Sequence, residues 1–320
     1  MNTTATRRLS NHLIYDLRLL FVIGRSPMKI HLIDGTYELF RGFYGPPPKK
    51  APDGREVGAT IALLQSLISL LSDPQVTHVG CAFDHVVESF RNDLFAGYKT
   101  GEGIDPDLFA QFPLAEEAVA ALGLVVWPMV KFEADDALAT AALRFAEDPL
   151  VEQVVICSPD KDLAQLVSDD HIVCWDRRRD IIYNQAAVIE KYGVAPASIP
   201  DWLALVGDSA DGIPGVPSWG AKSSATMLTK YTHLEDFPLE LEHWDVKLRG
   251  INRLYENFTA HREQAFLYRR LTRLRDDVPL AETPDDLRWK GPADDFARFC
   301  QSLGADDLPG RVANRDYSKI

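Results

Sequence analysis

Phe132-Glu133-Ala134-Asp135-Asp136, followed by Ala137-Leu138-Ala139, is the stretch on which the reading of this chain turns. Three carboxylates within residues 133–136 open a segment that stays rich in Ala and Leu to Phe145, the composition of a helix. The positive end of a helix dipole tolerates one or two acids, so a well-capped helix start is one reading. The other comes from what lies on either side. Asp160 with Asp162 and Asp208 with Asp211 follow downstream, while Asp34 and Asp84 stand alone upstream. Each sits where a strand or turn is expected to end. Such recurrence is the pattern of a metal site.

Around this stretch, strands alternate with helices. Apolar runs suited to buried parallel strands are 30–33, 79–83, 125–126, 154–157 and 172–175. Helical stretches lie at 58–71, 113–122, 135–145 and 163–167. The alternation predicts an α/β fold with a doubly wound parallel sheet through about residue 185. Functional groups in such sheets gather at the carboxyl ends of the strands. Asp34 follows the first strand, Asp84 the second, Glu133, Asp135 and Asp136 the third, and Asp160 and Asp162 the fourth. All should meet at one edge.

From about residue 186 the chain reads as short helices with no further strand. Its central feature is Gly207-Asp208-Ser209-Ala210-Asp211-Gly212-Ile213-Pro214-Gly215-Val216-Pro217-Ser218-Trp219-Gly220-Ala221-Lys222. Glycines and prolines cannot sustain a helix, so this is a tight hairpin between two helices, the second starting near Ala221. Its backbone N–H groups and Lys222 could hold a phosphate, although such a hairpin also serves as a plain turn. Residues 247–275 carry eight Lys or Arg against Glu256 and Glu263, a local reversal of sign that fits either a solvated helix face or a nucleic-acid backbone.

Composition sets the bounds. The chain has 320 residues, 46% of them hydrophobic, enough for one large domain or two smaller ones. A net charge of −13 excludes coating nucleic acid or an anionic membrane by bulk attraction, but not a nuclease whose site holds much of that charge. Cys81, Cys157, Cys174 and Cys300 show no paired metal spacing and read as reduced residues of a cytoplasmic protein. Residues 1–27 read as a leader outside the core. The apolar run 13–23 is interrupted by Asp16 and Arg18, lacks a cleavage site and is too short to span a bilayer, so a soluble chain with no membrane partner is expected.

Leu32-Ile33-Asp34-Gly35-Thr36, Phe83-Asp84, Ser89-Phe90-Arg91 with Gly97-Tyr98-Lys99, Glu133-Ala134-Asp135-Asp136, Pro159-Asp160-Lys161-Asp162 and the hairpin to Lys222 resemble, in order, the 5′-nuclease family. That family holds the amino-terminal nuclease domain of bacterial DNA polymerase I, the phage 5′-nucleases and the flap endonucleases. The resemblance covers about residues 28–285, without a polymerase segment, and so implies a free-standing member. It implies a PIN-like, resolvase-like parallel-sheet nuclease domain at 28–185, with an arch at about 91–112. A helical domain with a helix–hairpin–helix that grips duplex DNA would occupy 186–320.

The implied activity is 5′-3′ exonuclease and flap endonuclease cleavage of DNA, as a monomer, beside a DNA polymerase and a ligase. Two Mg²⁺ ions, replaceable by Mn²⁺, would bind among Asp34, Asp84, Glu133, Asp135, Asp136, Asp160, Asp162, Asp208 and Asp211. A donor set without His or Cys suits those ions and argues against zinc. Lys99 and Arg91 would clamp phosphate as catalytic residues, and Phe40 would stack the terminal base. Arg41, Tyr98, Gly212, Gly215, Gly220 and Lys222 would contact DNA. A potassium ion in the hairpin is also implied, with Ser218 standing where glycine is common. A second departure is Glu102, where the family has a second basic residue in the arch. A single-strand RNA nuclease of the related acidic-site type would lack the hairpin, and a non-catalytic junction binder would not need nine carboxylates.

Overall fold

A strand that is apolar at nearly every position has no solvent face and must lie in a sheet covered on both sides. The computed structural model, which describes residues 27–313, places Met28–Asp34 (β1) there, with every residue but Lys29 buried. Residues 1–26, on which the leader reading rests, lie outside the described residues. Ile30 and Leu32 face one layer and Ile33 the other, each fully buried side chain contributing about 1.5–3 kcal/mol. The remaining strands are His78–Asp84 (β2), Val125–Met129 (β3), Val151–Cys157 (β4), Ile172–Asp176 (β5) and Ile181–Tyr183 (β6), in the order β3-β2-β1-β4-β5-β6.

The first five strands are parallel; β6 is not, and pairs antiparallel with β5. Only residues 177–180 join the two. A parallel return needs a crossover of about a dozen residues, so this link makes a hairpin. Strand order reverses between β1 and β4, which opens a crevice beyond their carboxyl ends.

Between the strands lie α1 (Gly35–Tyr44), α2 (Gly58–Leu71), the short α3 (Phe90–Leu94) and α4 (Pro106–Phe109), α5 (Phe112–Ala121) and α6 (Ala134–Ala146). The sequence reading contains no helix at 35–44. One forms because the Asp34 carboxylate accepts from the Tyr37 N–H at 2.8 Å and because Gly35, Glu38, Leu39 and Gly42 line a buried face. A Cβ at Gly35 would lie 2.4 Å from the Phe83 ring, so glycine lets α1 begin against the end of β2. The helix expected at 163–167 is a single tight 3₁₀ turn, Asp162–Leu166.

After β6 come α7 (Gln185–Tyr192), α8 (Ile199–Val206), α9 (Ala221–Tyr231), α10 (Ile251–Ala260) and α11 (Arg262–Thr272), and no strand follows among the described residues. Trp219 stacks on Phe237 with ring centroids 6.0 Å apart, and Phe237 meets Phe258 at 5.1 Å, an aromatic centre for this helical part. The final helices, α12 (Phe296–Ser302) and α13 (Leu308–Ala313), depart from the expected division. They pack with α2 and α5 through Phe296, Cys300, Leu303 and Leu308, while Trp289 Nε1 donates to Leu122 O at 2.8 Å. The apolar face of α5 needs this cover, and so the chain crosses back to the sheet. No helix among the described residues is long and apolar enough to cross a membrane.

Candidate active site

The strand-end acids are tied to one another through backbone and hydroxyl groups. Asp34 accepts from the Ser158 hydroxyl at 2.8 Å, Ser158 Oγ accepts from Asp160 N–H at 3.2 Å, and Asp160 accepts from Asp162 N–H at 2.9 Å. On the other side, Thr36 Oγ1 accepts from Asp84 N–H at 2.8 Å, and the Asp84 carboxylate accepts from Ala134 N–H at 2.7 Å. The amino end of α6 is thereby pinned to β2, which carries Asp135 into the crevice.

The hairpin completes the edge. Asp208 and Ile213 exchange N–H···O bonds of 2.8 and 2.7 Å across its base. Lys99 N–H donates to Asp211 O at 3.1 Å, and a Cβ on Gly212 would lie 2.1 Å from Gly97 O, so the hairpin can seat here only with glycine at φ +73°. Oxygens of Asp162, Asp208 and Asp211 then lie within 4.8 Å of one another.

Crowding in a buried crevice raises the proton affinity of Asp34, Asp84, Asp135, Asp162 and Asp211. Burial pushes Asp34 up to about 7, with Asp84 and Asp160 adding repulsion against the bonds from Tyr37 and Ser158. Burial and then repulsion from Asp160 and Asp34 lift Asp135 well above the carboxylate range; burial, Asp160, Asp211 and Asp208 do the same to Asp162. Asp84 rises chiefly by burial, and Asp211 reaches about 6 despite Lys99 nearby. Asp162, only 5% exposed, keeps an Oδ1 with no hydrogen-bond partner. A buried, unpaired carboxylate oxygen beside two further carboxylates fits an oxygen-seeking cation.

Glu133 and Asp136 are placed otherwise than expected, as is Arg91. Arg91 is 1% exposed. Its Nη1 donates to Glu133 (2.9 Å) and Asp136 (2.7 Å), its Nη2 to Asp136 (2.7 Å) and Arg273 O (3.3 Å), and its Nε to Leu271 O (2.7 Å). All five N–H groups of the guanidinium are taken, leaving none for a phosphate. Asp136 is fully buried, and its oxygens also accept from Glu133 N–H (3.0 Å) and Arg275 N–H (2.9 Å), so a direct cation contact is closed to it. Glu133 accepts from Arg91, the Ser89 hydroxyl (2.7 Å), the Tyr98 hydroxyl (3.2 Å) and Lys99 Nζ (2.7 Å). Against its burial, Lys99 and Arg91 hold Glu133 below the usual range.

Lys99 is the more accessible of the two basic residues expected to clamp phosphate. Its side chain is 26% exposed, and Nζ lies 2.7 Å from Glu133 and 3.5 Å from Asp211. Glu133 and Asp211 overcome the burial that disfavours its charge, so it stays protonated. Phe40 is half-buried edge-on to Phe112. Arg41 is occupied by Glu38 and by the Ser66 hydroxyl, and Tyr98 is buried. Gly215 is buried as well, while Gly220 caps α9, its N–H donating to Ser223 Oγ at 3.0 Å. Lys222 and Glu102 are exposed. Ser218 takes φ +70°, a backbone state that glycine adopts freely. Of the basic residues at 247–275, Arg269 pairs with Asp201 at 3.0 Å and Arg262 lies over Phe258 and Phe266, whereas Lys247, Arg249, Arg253 and Arg270 are exposed.

Two contributors escaped the sequence reading as individual residues. Lys161 pairs with Asp208 at 2.8 Å, and Ser158 bridges Asp34 to Asp160. Lys161 stands inside the quoted Pro159–Asp162 stretch, but a lysine among acids carries no signal of which acid it neutralises.

An acid-lined switch point in a doubly wound sheet, closed by a helical hairpin, defines a resolvase-like nuclease architecture. The family model for the 5′-3′ exonuclease N-terminal resolvase-like domain matches residues 29–193, and that for the 5′-3′ exonuclease C-terminal SAM fold matches 194–295. The chain belongs to the 5′-3′ exonuclease family. It is similar to the 5′-3′ exonuclease of Aquifex aeolicus (strain VF5), with 32% identity over 86% of this chain and 90% of that protein. DNA polymerase I of Mycobacterium leprae (strain TN) is 36% identical over 82% of this chain, which spans 28% of the polymerase's length. The flap endonuclease of bacteriophage T5, solved with DNA and metal ions, shares the fold at TM-score 0.61 and 19% identity, over 89% of this chain and 97% of that one.

Proposed function

We propose that the chain is a structure-specific 5′-nuclease that hydrolyses DNA phosphodiester bonds at 5′-flaps and recessed 5′-ends with two divalent cations. The observation that carries this reading is the meeting of Asp34, Asp84, Asp135, Asp160, Asp162 and Asp211 at one edge, with Lys99 beside them. Mg²⁺ or Mn²⁺ would neutralise charge on the phosphate and activate a water. Asp34, Asp84 and Asp135 would hold one ion, and Asp160, Asp162 and Asp211 the other, with Asp208 in support. Glu133 holds Lys99 in place through its 2.7 Å contact, and the charged ammonium would attract the incoming phosphate.

Lys222 lies in the first turn of α9, where the helix dipole favours an anion, and would hold the duplex backbone without reading sequence. Phe40 would stack the terminal base. A hairpin potassium ion belongs to the same reading, since Ser218 preserves the left-handed backbone of a glycine. The division into a nuclease domain ending near residue 185 and a DNA-gripping helical domain is part of the proposal, amended by the return of α12 and α13.

Labelled 5′-flap, nicked, single-stranded and RNA–DNA substrates incubated with Mg²⁺ test the function. Cleavage at the flap junction is the expected result. Cutting confined to single-stranded RNA, or junction binding without cutting, would overturn it.

A further inference from the structure

Residues 271–275, where α11 ends, form a strap held by side chains of the α/β domain. Arg91 takes Leu271 O and Arg273 O, and Asp136 takes Arg275 N–H. Gln165 takes the two groups between: its Nε2 donates to Thr272 O at 3.0 Å, and its Oε1 accepts from Leu274 N–H at 3.1 Å. An irregular segment cannot satisfy its own backbone groups, so these bonds decide where it lies.

Gln165 differs from the other two residues in what else it touches. The same Nε2 donates to Asp162 O at 2.7 Å, so one amide joins the strap to the turn that carries Asp162. The cation-fitting group is assembled from both parts of the molecule, Asp162 from the sheet edge and Asp208 and Asp211 from the hairpin. Its geometry therefore depends on the seating of the helical part against that turn. We propose that Gln165 is a positioning residue that fixes the Asp162 turn against the strap and thereby sets the divalent-cation affinity of the Asp162–Asp208–Asp211 group. This rests on the cation-binding reading above. A glutamine offers two donors and an acceptor at one place. Methionine matches its length and offers neither, and glutamate would set a carboxylate against two carbonyls.

The test is a Mn²⁺ titration of the chelator-stripped full chain, followed by calorimetry and by the paramagnetic signal of free Mn²⁺. Gln165→Met should weaken one class of site about tenfold or more and leave the other unchanged, with Tm within a few degrees; Asp162→Asn should weaken the same class. Equal Mn²⁺ binding by the wild type and Gln165→Met would overturn the role of Gln165 alone. A wild-type chain that binds no Mn²⁺ would overturn the cation reading and this proposal with it. Should Gln165→Met not fold, the wild type suffices, because coupling is reciprocal. Mn²⁺ should slow amide exchange at Leu274 N–H, and an unchanged rate there would refute the link.

Discussion

Two groups of carboxylates share one edge of the sheet and meet opposite fates. Around Arg91, the chain supplies its own counter-charge: Glu133 and Asp136 are buried, saturated with donors and closed. Around Asp162, acids crowd together, an oxygen is left unpaired, and burial drives Asp162 and Asp211 towards holding protons. The difference teaches that acids which look alike in sequence divide into those closed off by a buried arginine and those left crowded with an oxygen unpaired, the group proposed above to take a cation.

The division can be broken most severely at Arg91. Arg91→Met leaves Asp136 as a buried charge without its cation and leaves Glu133 with Lys99 alone, and removing one member of such a buried pair costs roughly 3–5 kcal/mol. Urea unfolding should report a loss of that size, and a change below 1 kcal/mol would show that the pairing is dispensable. Asp162→Asn should act in the opposite sense. In chelator it relieves like-charge crowding and raises Tm by about 2–4 °C, yet it should abolish flap cleavage while duplex binding persists. A lowered Tm would place Asp162 with the structural acids.

The pH dependence sharpens the same contrast. Asp34 and Asp211, raised to about 7 and about 6, bind protons in the native state that the unfolded chain has already released. The native state then holds more protons, so these acids lose stability as pH rises from about 4 to about 7. His31, lowered from 6.5 to about 4 by burial, works against them, because the unfolded chain takes up protons first as pH falls through that window. The Tm gain from saturating Mg²⁺ isolates the acids and should grow steadily between pH 5 and 7; a gain independent of pH would count against coupling of these carboxylates to the ion. The smallest effect is expected at the hairpin. Lys222→Ala should weaken every duplex sequence alike and lower the salt slope of binding by about one, and a sequence-dependent change would contradict backbone contact.

The sheet, the convergence of acids and the hairpin were legible because each has a local signal: apolar runs, carboxylates at strand ends, a Gly/Pro cluster between helices. The fates of individual acids were not. Nothing near Asp136 in sequence indicates that Arg91 and Arg275 N–H will fill its oxygens, since those partners arrive from distant segments. The burial of Arg91 was hidden for the same reason, because its partners Glu133, Asp136 and the Leu271 carbonyl arrive from distant segments. The return of α12 and α13 was hidden because Phe296, Cys300 and Leu303 fit either domain by pattern.

The most direct test of the central claim is the rate of 5′-flap cleavage as Mg²⁺ is titrated into chelator-stripped enzyme. Cleavage should be absent without the ion and should rise with a slope above one, as two cooperating ions require. Full-rate cleavage in excess chelator would contradict it.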